Sequence, residues 1–142
     1  SRNWKTCSLP PHCKIFLPDG FFLKLHSVSL NSALLKEIKS GMVDQEKNAY
    51  LIEIEPDEKL YFRRRQLGDR FEPLGSPGNK KVKDWMIDRK WDQDTKDTVP
   101  LIVNSDNKIM WIPGFPPAKE RSVSNLSEKV IRLTYHQSSS LC

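Results

Sequence analysis

The sequence predicts an α+β domain, a mostly antiparallel β-sandwich-like arrangement with two or three short helices. Several segments alternate apolar and polar side chains with the period of a half-buried strand, and polar turn residues separate them. Only short segments have the spacing of a helix. We assign one domain to residues 1–142 and expect both ends, 1–13 and 136–142, to be loose.

About seven strands are predicted, and most of them pair with a neighbour in sequence. They lie in a hairpin over 14–30 around the turn pair Asp19-Gly20, in a pair formed by 50–54 and 60–65, in a hairpin formed by 101–103 and 109–112, and in a last strand over 129–135.

Three segments are predicted to be helical, and the first two follow a residue that caps helices well. They are residues 32–39 after Asn31 or Ser32, residues 80–90 after Asn79, and a short helix over 92–97. Glycine and proline fill residues 66–79, so that stretch is predicted to be a loop.

Composition limits the classes of protein and the cellular locations that we expect for this chain. With 37% hydrophobic and 29% charged residues, and no apolar run near the roughly 18 residues of a bilayer span, we expect no membrane association. The three cysteines, Cys7, Cys13 and Cys142, do not form the pattern of a disulfide framework or a metal site, so we expect a reducing, cytoplasmic location and no metal.

Positive charge is concentrated in residues 59–91, called here the basic segment. It holds ten basic and four acidic residues, whereas the rest of the chain is nearly neutral in a protein of net charge +5. A basic segment on an otherwise neutral chain is typical of a polyanion site. On the strand predicted over 60–65, Arg63 and Arg65 are expected to face one groove beside Tyr61.

The start of the helix predicted over 80–90 contains an electrostatic conflict. Lys80, Lys81 and Lys83 fall in its first turn, where the helix dipole is positive and each cation costs about 0.3–1 kcal/mol. A phosphate docked at that end would make the same lysines favourable. We therefore expect a phosphate group to bind there.

Ordinary structural roles remain open for the same residues. Clusters of arginine and lysine are usually solvated, Trp85 and Trp91 are expected to pack in the core, and Asp69 is expected to pair with an arginine or to cap the loop. The sequence contains no phosphate-binding loop, nucleophile elbow or zinc-protease motif, so no catalytic residue is predicted.

A series of motifs resembles the C-terminal domain of bacterial tRNA(Ile)-lysidine synthase. In order, the motifs are GDRFEPLG at 68–75, KKVKDW at 80–85, DRK at 88–90, VPL at 99–101 and WIPG at 111–114. The succession is more specific than any one motif, and the resemblance is strong over residues 61–123.

The resemblance implies a non-catalytic part of a ligase that uses ATP, with magnesium, to join lysine to the anticodon cytidine of tRNA(Ile). The PP-loop catalytic domain, marked by SGGxDS, is absent from this sequence, so no cofactor is expected here and that N-terminal domain would be a partner. The family's C-terminal domain is understood to grip the tRNA acceptor stem, and its fold resembles a domain of the phenylalanyl-tRNA synthetase β subunit. The candidate tRNA contacts at matching positions, with Arg63 added from the strand pattern, are Arg63, Arg65, Arg70, Lys80, Lys81, Lys83, Arg89 and Lys90.

Two other functions compete with tRNA binding. The domain could instead dock the parent enzyme's domains or subunits, with the basic segment against an acidic protein surface. A self-sufficient small enzyme is the third alternative, and the absence of catalytic motifs disfavours it.

Overall fold

A computed structural model describes residues 7–9, 13–17, 20–55, 58–126 and 129–137, with side chains from residue 14 onward. It contains two four-stranded sheets, a two-stranded ribbon and three short α-helices. The strands are β1 (Cys7–Leu9), β2 (Cys13–Phe16), β3 (Phe21–Val28), β4 (Asn48–Ile52), β5 (Leu60–Arg63), β6 (Arg70–Phe71), β7 (Lys80–Lys81), β8 (Leu101–Val103), β9 (Ile109–Trp111) and β10 (Val130–Gln137). The helices are α1 (Ser32–Lys39), α2 (Val82–Asp88) and α3 (Gln93–Thr98), and a 3-10 turn covers Lys119–Arg121.

All strand pairs are antiparallel, which confirms the predicted fold class. The first sheet has the order β1-β5-β8-β9, the second sheet has the order β2-β3-β10-β4, and β6 pairs with β7 as a separate ribbon. The predicted hairpins β2-β3 and β8-β9 are both present. No helix among the described residues is long and apolar enough to cross a bilayer.

The predicted pairing of residues 50–54 with 60–65 is wrong. Strand β4 pairs with β10 in the second sheet, whereas β5 pairs with β1 and β8 in the first. Alternation of side chains predicts which face of a strand is buried, and it does not identify the neighbouring strand. The polar connection between β4 and β5 therefore carries the chain from one sheet to the other.

Parts of the two ends also differ from expectation. Residues 7–9 form β1, and residues 136–137 extend β10. β1 pairs with β5, and residues 136–137 pair with β3. The backbones of these residues are therefore part of the sheets. The remaining residues of 1–12 and 138–142 lie outside the described residues.

One continuous hydrophobic core joins the two sheets. Leu51 and Leu133 of the second sheet, and Leu60 and Leu101 of the first, are fully buried in the same cluster. Helix α2 adds Met86, which is also fully buried. Truncating a leucine in such a position to alanine costs about 2–5 kcal/mol, so this core accounts for much of the stability.

Helices α1 and α3 both have side-chain caps, of which the Asn31 cap of α1 is the predicted one. The Asn31 side chain accepts a hydrogen bond from the Leu34 N–H at 2.8 Å, and the Asp92 carboxylate accepts one from the Thr95 N–H at 2.8 Å. The hydrogen bonds from Thr95 lower the pKa of Asp92, so the carboxylate stays charged at the helix start, where the dipole favours it.

Two buried arginines fasten loops to the sheets. Arg121, 1% exposed, donates to the Ile52 carbonyl oxygen from Nε at 2.9 Å and to the Glu58 carboxylate from Nη1 at 2.9 Å. It thereby holds the edge of β4 to the chain that enters β5. Arg63, 2% exposed, donates from Nη1 and Nη2 to the two carboxylate oxygens of Asp69, each at 2.9 Å.

We expect Arg63→Met to lower the free energy of unfolding by about 3–5 kcal/mol, because the Asp69 carboxylate would stay buried without its partner. Urea denaturation followed by tryptophan fluorescence measures the change. The matched control is Glu120→Gln, which breaks the exposed Lys108–Glu120 pair and should cost no more than about 1 kcal/mol. Equal losses for the two variants would contradict a structural role for the Arg63–Asp69 pair.

Acid should destabilise the fold partly through His136. Burial holds the pKa of this imidazole below its ordinary value of 6.5, and the positive charges of Lys24, Lys47 and Lys14 act in the same direction. As pH falls through about 6.5, the unfolded chain takes up the proton before the folded chain does, so the stability present above that pH is progressively lost. Between about pH 7.5 and pH 5.5 the wild type should therefore lose more unfolding free energy than His136→Gln. Parallel stability curves for the two proteins would refute this expectation.

Candidate nucleic-acid interface

The chain enters α2 in an extended conformation. Lys80 and Lys81 form strand β7, in which Lys81 pairs with Arg70 and Lys80 with Phe71. Helix α2 begins only at Val82, whose N–H donates to the Asp69 carbonyl oxygen at 2.9 Å. The predicted helix over 80–90 is thus two residues too long at each end.

The predicted cap is wrong as well. Lys81 occupies the N-cap position and makes no side-chain capping bond. The Asn79 side chain instead accepts a hydrogen bond from Arg70 Nε at 2.7 Å. Lys80 and Lys81 stay extended because β6 supplies hydrogen-bond partners for their backbone groups, which the first turn of a helix would not supply.

These corrections remove the predicted phosphate site at the helix start. Of the three lysines, only Lys83 lies in the first turn of α2, and this helix has just seven residues. The electrostatic conflict inferred from the sequence is therefore mostly absent. Any binding of anions by Lys81 and Lys83 has to come from their position beside the preceding loop.

A rigid turn over residues 66–69 lies next to the start of α2. The Asp69 carboxylate, oriented by Arg63, accepts a hydrogen bond from the Gln66 N–H at 2.6 Å. Gly68 has a φ of +89°, a conformation that glycine adopts without strain. The turn leaves the Leu67 side chain fully exposed at its tip.

The turn and the start of α2 enclose an open cavity of about 490 Å³, called here the basic cavity. Its cationic side chains are Arg65, Lys81 and Lys83, and Leu67 and Gly68 form part of its rim. Neither Lys81 nor Lys83 has a salt bridge to a described residue. Within the described part of the chain, the charges of these two lysines are therefore not neutralised by direct ion pairs.

Arg65 is partly neutralised at the edge of the basic cavity. Its Nη2 lies 3.1 Å from Asp97 Oδ1, and its Nε donates to the Lys96 carbonyl oxygen at 3.2 Å. A hydrogen bond from Gln93, together with Arg65, lowers the pKa of Asp97, so this carboxylate stays charged. Arg65 is thus held in place facing the cavity, but contributes less net charge than Lys81 and Lys83.

Arg63 does not belong to this surface, which corrects its prediction as a site residue. Its Nε donates to Asn107 Oδ1 at 2.9 Å, and its other nitrogens bind Asp69 and the Arg64 carbonyl oxygen. Only 2% of the residue is exposed. It does not share a groove with Arg65, because it turns inward to anchor the turn that carries Leu67.

Two other predicted residues, Arg70 and Lys80, do not line the basic cavity. Arg70 lines a different cavity of about 450 Å³, where Lys108 and Lys119 are paired with Glu120 and Glu72. Lys80 forms an ion pair with Asp88 and lies 4.4 Å from the centre of the Trp85 ring. Both arrangements leave less positive charge exposed than the sequence indicates.

Arg89 and Lys90 lie at the opposite end of α2. The Arg89 guanidinium lies 4.1 Å from the centre of the Phe115 ring and donates to the Gly114 carbonyl oxygen at 2.5 Å. Lys90 is exposed and has a φ of +55°. Arg89 follows Lys83 by six positions, a rise of about 9 Å along the axis, so cationic side chains lie at both ends of α2.

An aromatic cluster, formed by Trp85, Trp91 and Phe115, lies beside α2 at the hydrophobic core. Trp85 and Trp91 pack edge-on against Phe115, with ring centres 6.1 and 5.3 Å away, and both tryptophans are partly buried and pack against the core, as expected. Gly114 faces Trp91 so closely that a Cβ would lie 2.7 Å from its ring. This contact explains why the WIPG motif needs glycine at its last position.

Sequence reasoning missed two features of this interface. The exposed Leu67 was not singled out, although a leucine directly before glycine in a polar turn is the available signal. Asn107, which orients Arg63 from the β8–β9 turn, could not be found, because its contact joins residues far apart in sequence. Among the described residues, no group of three potential ligands is arranged to hold a metal ion.

Sequence comparisons identify relatives of this chain. A tRNA(Ile)-lysidine synthase of Persephonella marina is 38% identical over 123 residues, which cover 87% of this chain and 26% of that protein. One of Bacillus licheniformis is 38% identical over 80 residues, covering 55% of this chain and 17% of that protein. The chain thus spans about a quarter or less of the length of these two relatives.

Structural comparisons agree on the fold. A crystal structure of a TilS C-terminal domain matches with a TM-score of 0.72 and 23% identity, covering 96% of this chain and all of that one. An N-terminal fragment of the phenylalanyl-tRNA synthetase β subunit from Pyrococcus horikoshii matches with a TM-score of 0.54 and 14% identity, over 81% of this chain and 38% of that one. The likeness expected to both folds is confirmed.

A family profile provides the remaining comparison. It describes the TilS substrate C-terminal domain and matches residues 60–133, just over half of the 142 residues. The matched region contains the turn, the basic cavity and the aromatic cluster described above. This chain therefore belongs to the TilS substrate C-terminal domain family.

Proposed function

We propose that this chain is the tRNA-binding C-terminal domain, over residues 1–142, of a tRNA(Ile)-lysidine synthase. It holds the acceptor stem and is not itself catalytic. The ligase reaction, with ATP and magnesium, belongs to an N-terminal domain of the parent enzyme, which would be its partner. The names of the relatives and the fraction of their length that this chain spans support this proposal.

The observation that carries the proposal is the placement of Lys81 and Lys83 on the basic cavity, beside Arg65 and the rigid turn. An A-form RNA helix presents phosphates and 2′-hydroxyl groups, which proteins contact mainly with cationic side chains and backbone N–H groups. Two lysines that have no salt bridge to a described residue, beside a turn fixed by Asp69, suit that chemistry. Phosphate contacts position an RNA and carry no sequence information, so this surface would orient the acceptor stem.

The structure revises which residues we propose as contacts. Arg63 is removed because it is buried, and Lys80 is secondary because Asp88 neutralises it. The proposed contacts are Lys81, Lys83, Arg65, Arg70, Arg89 and Lys90. If about four of them meet phosphates, the logarithm of the association constant should fall with the logarithm of salt concentration with a slope of about −3 to −4.

The double variant Lys81→Glu with Lys83→Glu should weaken binding of tRNA at least about tenfold near 100 mM salt, and the salt slope should become shallower by about 2, because two phosphate contacts are lost. Fluorescence anisotropy with labelled tRNA, titrated at several salt concentrations, measures both quantities.

The matched control is Lys36→Glu with Lys39→Glu on α1. Both lysines are exposed, and the change in net charge is the same. If the control pair weakens binding as much as the Lys81 and Lys83 pair, affinity depends on overall charge and the proposed site is wrong. Unchanged binding by the Lys81 and Lys83 variant would also reject it.

A further inference from the structure

We propose that the outer face of the second sheet is a stacking surface for unpaired nucleotides of single-stranded RNA. This site goes beyond the proposed function, which concerns phosphates of a duplex and the basic segment. It is formed by β2, β3 and β10, whose register places aromatic and cationic side chains in adjacent rows.

The first row is aromatic. Phe16 pairs with Phe22, and Phe22 pairs with His136, so the three rings lie side by side across three strands. The ring centres of Phe16 and Phe22 are 5.7 Å apart, and those of Phe22 and His136 are 4.0 Å apart. Contacts on both sides hold Phe22, which is 7% exposed, as the fixed centre of the row.

The second row is cationic. Lys14 pairs with Lys24, which pairs with Thr134. The Lys14 ammonium group lies 4.3 Å from the Phe22 ring centre and 5.2 Å from that of Phe16. Lys14, which lies beside the rings, could neutralise a phosphate of a nucleotide whose base stacks on Phe16.

A third row also combines aromatic and cationic side chains. His26 pairs with Arg132, which pairs with Tyr50 of β4, and the Arg132 guanidinium lies 6.0 Å from the Tyr50 ring centre. Aromatic and cationic groups therefore extend over all four strands. Four-stranded sheets that carry aromatic side chains bind two or three bases in common RNA-binding modules, so the dimensions suit a short single strand.

Phe16 is the exposed part of this surface. It lies on the edge strand β2 and is 64% exposed, whereas most aromatic side chains of the chain are buried or half-buried. A large apolar ring left in water at a fixed position is a common feature of a binding surface. At this exposure, part of the Phe16 side chain is available for contact with a planar base.

Charge favours RNA as the partner. The four strands contain two lysines, one arginine and two histidines and no aspartate or glutamate, while Asp19 in the β2–β3 connection lies outside the described residues. Burial and the charges of Lys24, Lys47 and Lys14 keep the pKa of His136 low, as expected near several cations. An acidic protein surface would use the lysines alone, whereas a nucleotide uses both the lysines and the exposed ring.

The test compares binding of a fluorescein-labelled oligouridylate and of a blunt-ended RNA duplex by anisotropy. Phe16→Ala should weaken binding of the single strand by about fivefold or more, because one base loses its aromatic partner, and should leave binding of the duplex unchanged. Phe16→Trp should restore the affinity, and the oligouridylate should quench its added tryptophan fluorescence.

The matched control is Met42→Ala, which truncates another exposed apolar side chain, 77% exposed and outside both sites. It should bind both RNAs as the wild type does. Equal affinity of Phe16→Ala and Met42→Ala for the single strand would overturn the proposal. Competition with polyglutamate provides a second contrary outcome. If polyglutamate displaces the oligouridylate equally well from the wild type and from Phe16→Ala, the site recognises negative charge alone and the proposal is wrong.

The two proposals fail in different ways. The Lys81→Glu with Lys83→Glu variant should lose duplex binding and keep most single-strand binding, whereas Phe16→Ala should do the opposite. If the first variant alone loses binding to both RNAs, the sheet surface is rejected and the basic cavity is retained. If Phe16→Ala alone loses binding to both, the basic cavity is rejected.

Discussion

The bidentate ion pair between Arg63 and Asp69 is the constraint on which the basic cavity depends. The carboxylate that Arg63 orients also accepts the Gln66 N–H, which fixes the turn and leaves Leu67 exposed. The carbonyl oxygen of the same aspartate accepts the Val82 N–H and so sets where α2 begins. A buried arginine thus determines where the lysines on either side of Val82 lie, although almost none of its own surface is exposed.

Internal contacts reduce the charge that the basic segment can present. Asp69 neutralises Arg63, Asp88 neutralises Lys80, and Asp97 holds Arg65. Counting charges in the sequence therefore overestimates the positive potential of this region. The positive charge that remains is divided between the two ends of a short helix, and a second cationic surface, on the other sheet, contains no residue of the basic segment.

Local patterns were enough to predict much of the fold, and contacts between distant residues account for what they missed. The cap of α1 and the two hairpins follow from neighbouring residues, so the sequence identifies them. The partner of β4 and the burial of Arg63 depend on β10 and Asn107, which no local pattern specifies. The motifs identify the family, but helical spacing places Lys80 and Lys81 in a helix, because it does not reveal the β6–β7 ribbon that holds them extended.

The position of β10 has a consequence for how this domain is made. This strand, which the chain reaches last among the described elements, lies between β3 and β4 and hydrogen-bonds to both. Until it arrives, β3 and β4 have no shared neighbour, and β4 has no strand partner among the described elements. During synthesis on the ribosome, the second sheet can therefore close only after residues 130–137 have emerged, and such non-local pairing is slow compared with the formation of helices.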